Sequence, residues 1–476
     1  MVTSSHRKVL FVTSLGAFQT PFASAAISFS VPELGRSLGA SYLAMVWVPM
    51  AYLIPLAVTM ILFGKLSDTF GRFRFYLLGF GIFGTSAFLA TFANGVDLLV
   101  LSTLGMGIGG SLFGVNSTAI VSSVYPAEAR GAAFGINAMS VYLGLTSGPV
   151  VSGVLLDLSG WRFLFDLVAA FAFLTLLVAA VVLKDIEIAR RPVSFDFLGF
   201  ATFLSSILLI VLYLGLAELY GWVPELPVLL IGLGLLAAFI VVERRQPTPM
   251  LDLTLFTQNR TFSAANFTAL LNYVSTFAIV FVFSIYFTVV AGLTPTTSAL
   301  ILTAEPALMV IVSPISGHLS DRIGSRGLAS LGMLIISASF FYLSLSVGRI
   351  PPVDLVVPLA AIGLGFGLFS APNTNSVMGS VPREDSGTAA GTLGTMRAVG
   401  QLMSIAVMGA LLAASMPQGM LLRLFSGTSS SPVVIDTSAF LTGFREVMLL
   451  SGALSLVGVF TSLVRDSGTN VPPRKR

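Results

Sequence analysis

The chain has 476 residues, of which 55% are hydrophobic and 10% are charged. A soluble protein carries about 25% charged residues, so this composition excludes a soluble domain and points to a polytopic membrane protein. The net charge of +4 comes from basic residues between apolar runs, not from a nucleic-acid-binding face, and with no Cys and only His6 and His318 the chain excludes disulfides, thiolate chemistry and Cys- or His-rich metal sites.

A helix needs about 20 apolar residues to cross a bilayer. Fourteen candidate runs follow one another, at roughly 9–31, 42–63, 75–94, 98–123, 132–156, 161–183, 197–219, 227–243, 262–290, 297–317, 327–347, 353–378, 388–415 and 443–464. The opening "MVTSSHRKVL" has the look of a signal peptide, but the run behind it is too long and lacks a clean cleavage site. It reads as the first spanning helix, and it carries Gln19. The second holds Trp47 and Tyr52, which read as packing residues. A charged link, "GKLSDTFGRFRF", follows with Gly64, Asp68, Gly71, Arg72 and Arg74.

The fourth helix contains "GMGIGG" and Asn116. The glycines formally fit a nucleotide loop, but no strand precedes them, so they read as close helix packing. The fifth begins near Arg130 and carries Asn137, Gly144, Gly148, Pro149 and Gly153. The seventh and eighth lie between "KDIEIARRP" and "ERRQPTPMLD". Asn272 falls in the ninth, expected to be continuous over 262–290, and Glu305 in the tenth. The link "GHLSDRIGSRG" supplies Gly317, Asp321, Arg322 and Gly324. Asn373 and Asn375 follow in the twelfth helix and Arg397 in the thirteenth; the segment 416–440 is expected to lie on the membrane surface.

With the N terminus inside, all but Arg36, Arg162, Arg349, Arg423 and Arg445 of the 25 basic residues fall on the cytoplasmic side. The positive-inside rule then places both termini in the cytoplasm.

The chain also repeats itself. Gly64, Leu66, Ser67, Asp68 and Gly71 recur 253 residues later as Gly317, Leu319, Ser320, Asp321 and Gly324. Gly107, Gly109, Phe113, Pro126 and Glu128 recur after 256 as Gly363, Gly365, Phe369, Pro382 and Glu384. Duplication of a six-helix unit leaves the seventh and eighth helices as an insertion. The expected architecture is all-α with fourteen transmembrane helices: an N-terminal six-helix bundle (1–190), an inserted pair (191–250) and a C-terminal six-helix bundle (251–476). Parallel six-helix repeats around a midplane site are a transporter architecture.

These residues resemble the major facilitator superfamily. "GKLSDTFGRFRF" is similar to its G-x-L-x-D-x-x-G-R-x-R/K loop motif. "GLTSGPVVSG" resembles the fifth-helix antiporter motif, with Ser152 for one Gly. "WVPMAYLI" and "FDFLG" resemble features of the fourteen-helix drug:proton antiporters. The resemblance implies secondary transport by alternating access, with two halves rocking about a central site, proton coupling, and a loop latch that stabilises the outward-facing state. Asp68 would cap a helix or pair with an Arg in that latch. The sequence departs from the family at two positions tied to coupling: Ala23 replaces an acidic residue and Thr103 an Arg.

Acidic residues deep in a bilayer are expensive and usually functional. Glu305, in "SALILTAEPALMV", is the clearest example. It reads either as a proton carrier or partner of a cationic substrate, or as a protonated structural group. Asp166 and Glu218 sit near the outer interface. Gln19, Asn116, Asn137, Asn272, Asn373 and Asn375 read equally as cavity-lining groups and as interhelical glue. Arg130 and Arg397 are inner ion-pair candidates, with anion attraction the alternative for Arg397.

The expected function is export of small amphipathic or cationic compounds from a cell membrane by a monomer. The partners are a small-molecule substrate, protons and the lipid bilayer; no nucleic acid, cofactor or catalytic site is expected. Facilitated or differently coupled transport, and a non-transporting sensor or scaffold, stay open.

Overall fold

Backbone in hydrocarbon must satisfy its own polar groups, and within one segment only a helix does so. The computed structural model accordingly consists of helices and links, with no strand among the described residues, which are 4–125, 127–184, 196–220, 223–246, 249, 251, 253–381, 386–416 and 437–464. The first eight helices are α1 (Ser4–Leu38), α2 (Tyr42–Phe70), α3 (Arg72–Thr91), α4 (Val96–Val124), α5 (Ala127–Leu158), α6 (Trp161–Val182), α7 (Phe197–Tyr220) and α8 (Leu226–Arg245). Then come α9 (Leu253–Gln258), α10 (Arg260–Thr276), α11 (Ile279–Ile285), α12 (Pro295–Leu302), α13 (Ala304–Ile323), α14 (Ser325–Ser346), α15 (Val356–Gly379), α16 (Ser386–Ala414) and α17 (Thr437–Leu463). Among the described residues, thirteen spans are long and apolar enough to cross a membrane, some of them joining two of these helices. Ala44–Met60 of α2 adds a shorter apolar stretch. The expected all-α, multi-pass fold is the one observed.

The chain forms two compact units. One comprises Met1–Phe195 with Val280–Pro306; α1 packs on α5, α4 and α6, α3 on α4 and α6, and α12 on α5. The other comprises Asp196–Ile279, Ala307–Ser415 and Ser438–Arg476; here α10 packs on α16 and α15, α14 on α15, and the α7–α8 pair reaches α16 through α7.

The two halves share their local geometry. Gly71 alone joins α2 to α3, at φ +112°, and Gly324 alone joins α13 to α14, at φ +84°. A side chain is strained at such positive φ, which explains the repeated glycine. Each link is braced alike. Ser67 Oγ donates to the Gly64 carbonyl and Ser320 Oγ to the Gly317 carbonyl, both at 2.7 Å. The Gly71 N–H reaches the Ser67 carbonyl at 2.9 Å, and the Gly324 N–H reaches that of Ser320 at 3.0 Å.

The glycine echo in α4 and α15 marks a repeated helix crossing. A Cβ built at Gly109 falls 2.6 Å from the Gly79 carbonyl oxygen, and one at Gly365 falls 2.6 Å from that of Gly332. Backbone meets backbone at both places, as small residues allow in membranes. Beside the first crossing, Phe80 and Phe113 stack with centroids 4.1 Å apart.

The expected ninth helix is not continuous. The hydroxyls of Ser275 and Thr276 both donate to the Asn272 carbonyl, at 2.9 and 2.8 Å, and the Ala278 N–H turns to Ser404 Oγ on α16 at 2.9 Å. Side chains thus replace ladder bonds between α10 and α11, a recognised cause of helix breaks. A π-turn, Tyr286–Val290, then ends α11. The expected tenth helix breaks at Thr303, between α12 and α13. Pro306 has no N–H for the Leu302 carbonyl, and Thr303 Oγ1 bonds back to the Ala299 carbonyl at 2.8 Å.

Candidate functional site

In the first unit, α1 presents buried polar groups. Gln19 is fully buried; its Nε2 donates to the Val168 carbonyl of α6 at 3.1 Å, while Oε1 has no partner. Ser14 Oγ, Thr20 Oγ1 and Ser28 Oγ are also buried and unpartnered. Asn116 on α4 donates to its own helix at the Leu112 carbonyl (2.8 Å), leaving Oδ1 unsatisfied. Asn137 on α5 is buried with Oδ1 unsatisfied. Most buried acceptors in proteins are hydrogen-bonded, so this group of unsatisfied oxygens on α1, α4 and α5 stands out. Tyr52 plays a structural part, its hydroxyl donating to the Thr20 carbonyl at 2.9 Å.

The fifth-helix motif is a packing device. A Cβ at Gly144 would lie 2.3 Å from the Phe18 carbonyl oxygen, and one at Gly148 would lie 2.7 Å from Ala25 Cβ. These glycines seat α5 on the backbone of α1 around Pro21, and Pro149, next in sequence to Gly148, is buried. Gly153 faces α12 instead, 2.6 Å from Ala299 Cβ for a built Cβ. Ser152, at the motif's usual Gly position, is fully buried and donates to the Gly148 carbonyl at 2.5 Å.

Glu305 sits in the first turn of α13, just past the break. It is 8% exposed, with no hydrogen bond or ion pair among the described residues. Sequence reasoning missed two contacts in this unit. The Asp157 carboxylate, at the end of α5, caps α12 by accepting from Thr296 N at 3.0 Å and from the Thr296 hydroxyl. Arg36 Nη2 donates to the Thr288 carbonyl at 3.2 Å. No periodicity signals pairs this far apart in sequence.

In the second unit, Asn272 is fully buried; its Nδ2 points at Met333 Sδ, 3.4 Å away, and its Oδ1 is unpartnered. Asn373 is fully buried. Asn375 is glue: its Nδ2 donates to Ser320 Oγ of α13 at 2.7 Å, beside the repeated loop motif. Arg397 makes no ion pair among the described residues. Its Nη2 donates to Thr374 Oγ1 at 2.7 Å, its guanidinium lies 5.9 Å from the Tyr273 ring centroid, and its Nε is buried without a partner. The cause is sequence: α10, α15 and α16 carry no Asp or Glu.

Among the gating residues, Gly64, Gly71, Gly317 and Gly324 shape the links, Arg72 is half-buried, and Arg74 and Arg322 are exposed. The side chains of Asp68, Asp321 and Arg130 lie outside the described residues, so the acidic part of the expected latch does too.

The Major Facilitator Superfamily sequence profile matches residues 13–405. The chain belongs to the major facilitator superfamily. It is thus a secondary-active transporter, not an enzyme, and a multi-pass integral membrane protein. This superfamily member is 26% identical over 461 residues to the riboflavin transporter RibZ of Clostridioides difficile (strain 630), a match spanning 96% of each chain. It is 26% identical over 406 residues to the tetracenomycin C resistance and export protein of Streptomyces glaucescens, covering 85% of this chain and 75% of that one. The crystal structure of a bacterial homolog of the human lysosomal transporter Spinster, inward-facing and unoccupied, superposes with a TM-score of 0.70 over 97% of each chain at 14% identity. That likeness concerns the fold.

Proposed function

We propose that the chain is a proton-coupled exporter of small amphipathic or cationic compounds, working by alternating access like the fourteen-helix drug:proton antiporters it resembles. The observation that carries this reading is Glu305, buried next to a helix break with no partner among the described residues. Desolvation disfavours a lone charged carboxylate, so such a group exchanges a proton whenever its surroundings alternate between wet and dry. One charge crossing 100 mV carries about 2.3 kcal/mol, enough to bias export. The relatives that are a riboflavin transporter and a tetracenomycin C resistance and export protein support small-molecule cargo, and the latter supports outward movement.

The test is a proteoliposome assay with an imposed pH gradient and a panel of cationic, neutral and anionic compounds. The expected result is gradient-driven movement that Glu305→Gln abolishes while substrate exchange without a gradient survives. Gradient-driven movement unchanged in Glu305→Gln refutes the proton assignment, and no movement of any compound refutes transport.

A second reading, facilitated or differently coupled transport, is favoured by the neutral positions of the first half. Ala23 is fully buried, and Thr103 spends its hydroxyl on the Val100 carbonyl of its own helix, at 3.0 Å. Equal transport rates with and without the gradient are the outcome that supports it.

A further inference from the structure

We infer that Arg397 is a binding site for the acidic group of an amphipathic aromatic cargo, which narrows the proposed cargo to compounds bearing a carboxylate, phosphate or acidic phenol. The inference rests on the export reading only for the word cargo; the site is argued from its own geometry.

Arg397 lies six residues inside the apolar span Gly391–Ala414, about 9 Å along the helix at 1.5 Å per residue. A charged group inside a span normally faces the bundle interior or a water-filled cavity and pairs with an opposite charge or with backbone carbonyls. The helices it touches, α10 and α15, hold no acidic residue, and neither does α16 itself. Among the described residues its polar and aromatic contacts are a single hydroxyl and a ring face. The hydroxyl is already oriented: Thr374 Oγ1 donates its proton to the Ser370 carbonyl at 2.9 Å, leaving lone pairs for Arg397 Nη2. That bond aims the guanidinium while the buried Nε stays unpartnered and Nη1 makes no hydrogen bond among the described residues.

The arrangement is built rather than loose. A Cβ at Gly400, three residues along α16, would fall 2.7 Å from Tyr273 Cβ, so α16 and α10 are in close contact beside the guanidinium. Tyr273 in turn meets the edge of Phe366 on α15, with centroids 5.4 Å apart. On the other side there is room: a Cβ at Gly394, three residues before Arg397, meets nothing within 4 Å. Residues three apart share a helix face. A held guanidinium with unused donors, an aromatic floor and adjacent space is the set that recognises an acid on a flat apolar frame.

The experiment measures equilibrium binding of 1-pyrenebutyrate and of its uncharged methyl ester to the full chain in phosphatidylcholine nanodiscs. Wild type is expected to bind the acid at least tenfold more tightly than the ester. Arg397→Gln is expected to lower acid affinity to that of the ester and leave the ester unchanged, and Arg397→Lys to recover part of the preference. Equal affinities for acid and ester in wild type overturn the proposal without need of any variant. So does an equal loss for both probes in a monodisperse Arg397→Gln protein, which marks a structural arginine. A third arm replaces part of the lipid with phosphatidylglycerol; loss of the acid preference there assigns the site to a lipid headgroup and overturns the cargo assignment. Acid preference without transport in liposomes removes the export reading alone, and gradient-driven transport without acid preference removes this one alone.

Discussion

Gly109→Ala tests whether the repeated helix crossing holds each half together. The added methyl falls 2.6 Å from both the Gly79 carbonyl oxygen and the Phe83 nitrogen, whereas ordinary contact begins near 3.4 Å. These atoms are backbone and cannot swing aside, so α3 and α4 must separate by about 0.8 Å. A gap of that size forfeits about a quarter to a half of each dispersion contact along the seam, and overpacking of this kind costs about 1–3 kcal/mol. Alanine recovers about 1 kcal/mol of helix propensity, leaving a net loss of about 0–2 kcal/mol, and a deficit of about 1–3 kcal/mol relative to an unhindered Gly→Ala change. Gly81→Ala is the matched control on α3, the partner helix of the same crossing, since its methyl meets nothing within 4 Å. Thermal unfolding followed by size-exclusion fluorescence is expected to show a Tm lowered by a few degrees for Gly109→Ala, with Gly81→Ala unchanged or raised. A Gly109→Ala protein as stable as Gly81→Ala refutes the reasoning.

Three further outcomes follow from other sites. Gly71→Ala and Gly324→Ala force a side chain into positive φ and are each expected to lower stability by about 1–3 kcal/mol, read in the same unfolding assay. Ser404→Ala removes the acceptor of the buried Ala278 N–H and is expected to cost about 1–3 kcal/mol, with Ser404→Thr keeping most of the stability. Glu305→Gln is expected to uncouple transport from the pH gradient while leaving gradient-free exchange intact, as measured in proteoliposomes.

Features that depend on local chemistry were legible in the sequence. Apolar runs of spanning length gave the helices; the links, expected over about 64–74 and 318–326, proved to be the single glycines Gly71 and Gly324, because the charged residues around them continue the helices. Features that depend on distant partners were not. The ninth helix breaks because Ser404, 126 residues away, takes the Ala278 N–H. The tenth breaks at Thr303, where Pro306 was a local signal that its apolar surroundings masked. For Arg397 the sequence offered an ion pair or an anion, and its hydrogen bond to Thr374 and its place beside the Tyr273 ring depend on neighbours 23 and 124 residues away. The α5 glycines were recognised as a motif, but their division of labour between α1 and α12 came only from the packing.

The two echoes in the chain differ by three residues, one set recurring after 253 and the other after 256. The crossing explains where the difference sits. Gly79 and Gly332 keep the shorter offset, while Gly109 and Gly365 keep the longer one, yet both pairs meet in the same way. The extra residues therefore belong between them, in the link where α14 gives way to α15 and Pro352–Leu355 forms a short 3-10 turn. The difference in length between the two halves is confined to that connector and kept out of the helices, whose registry is pinned by backbone contact. The same connector is the rational place to graft an epitope or an antibody-fragment handle without disturbing the helices it joins.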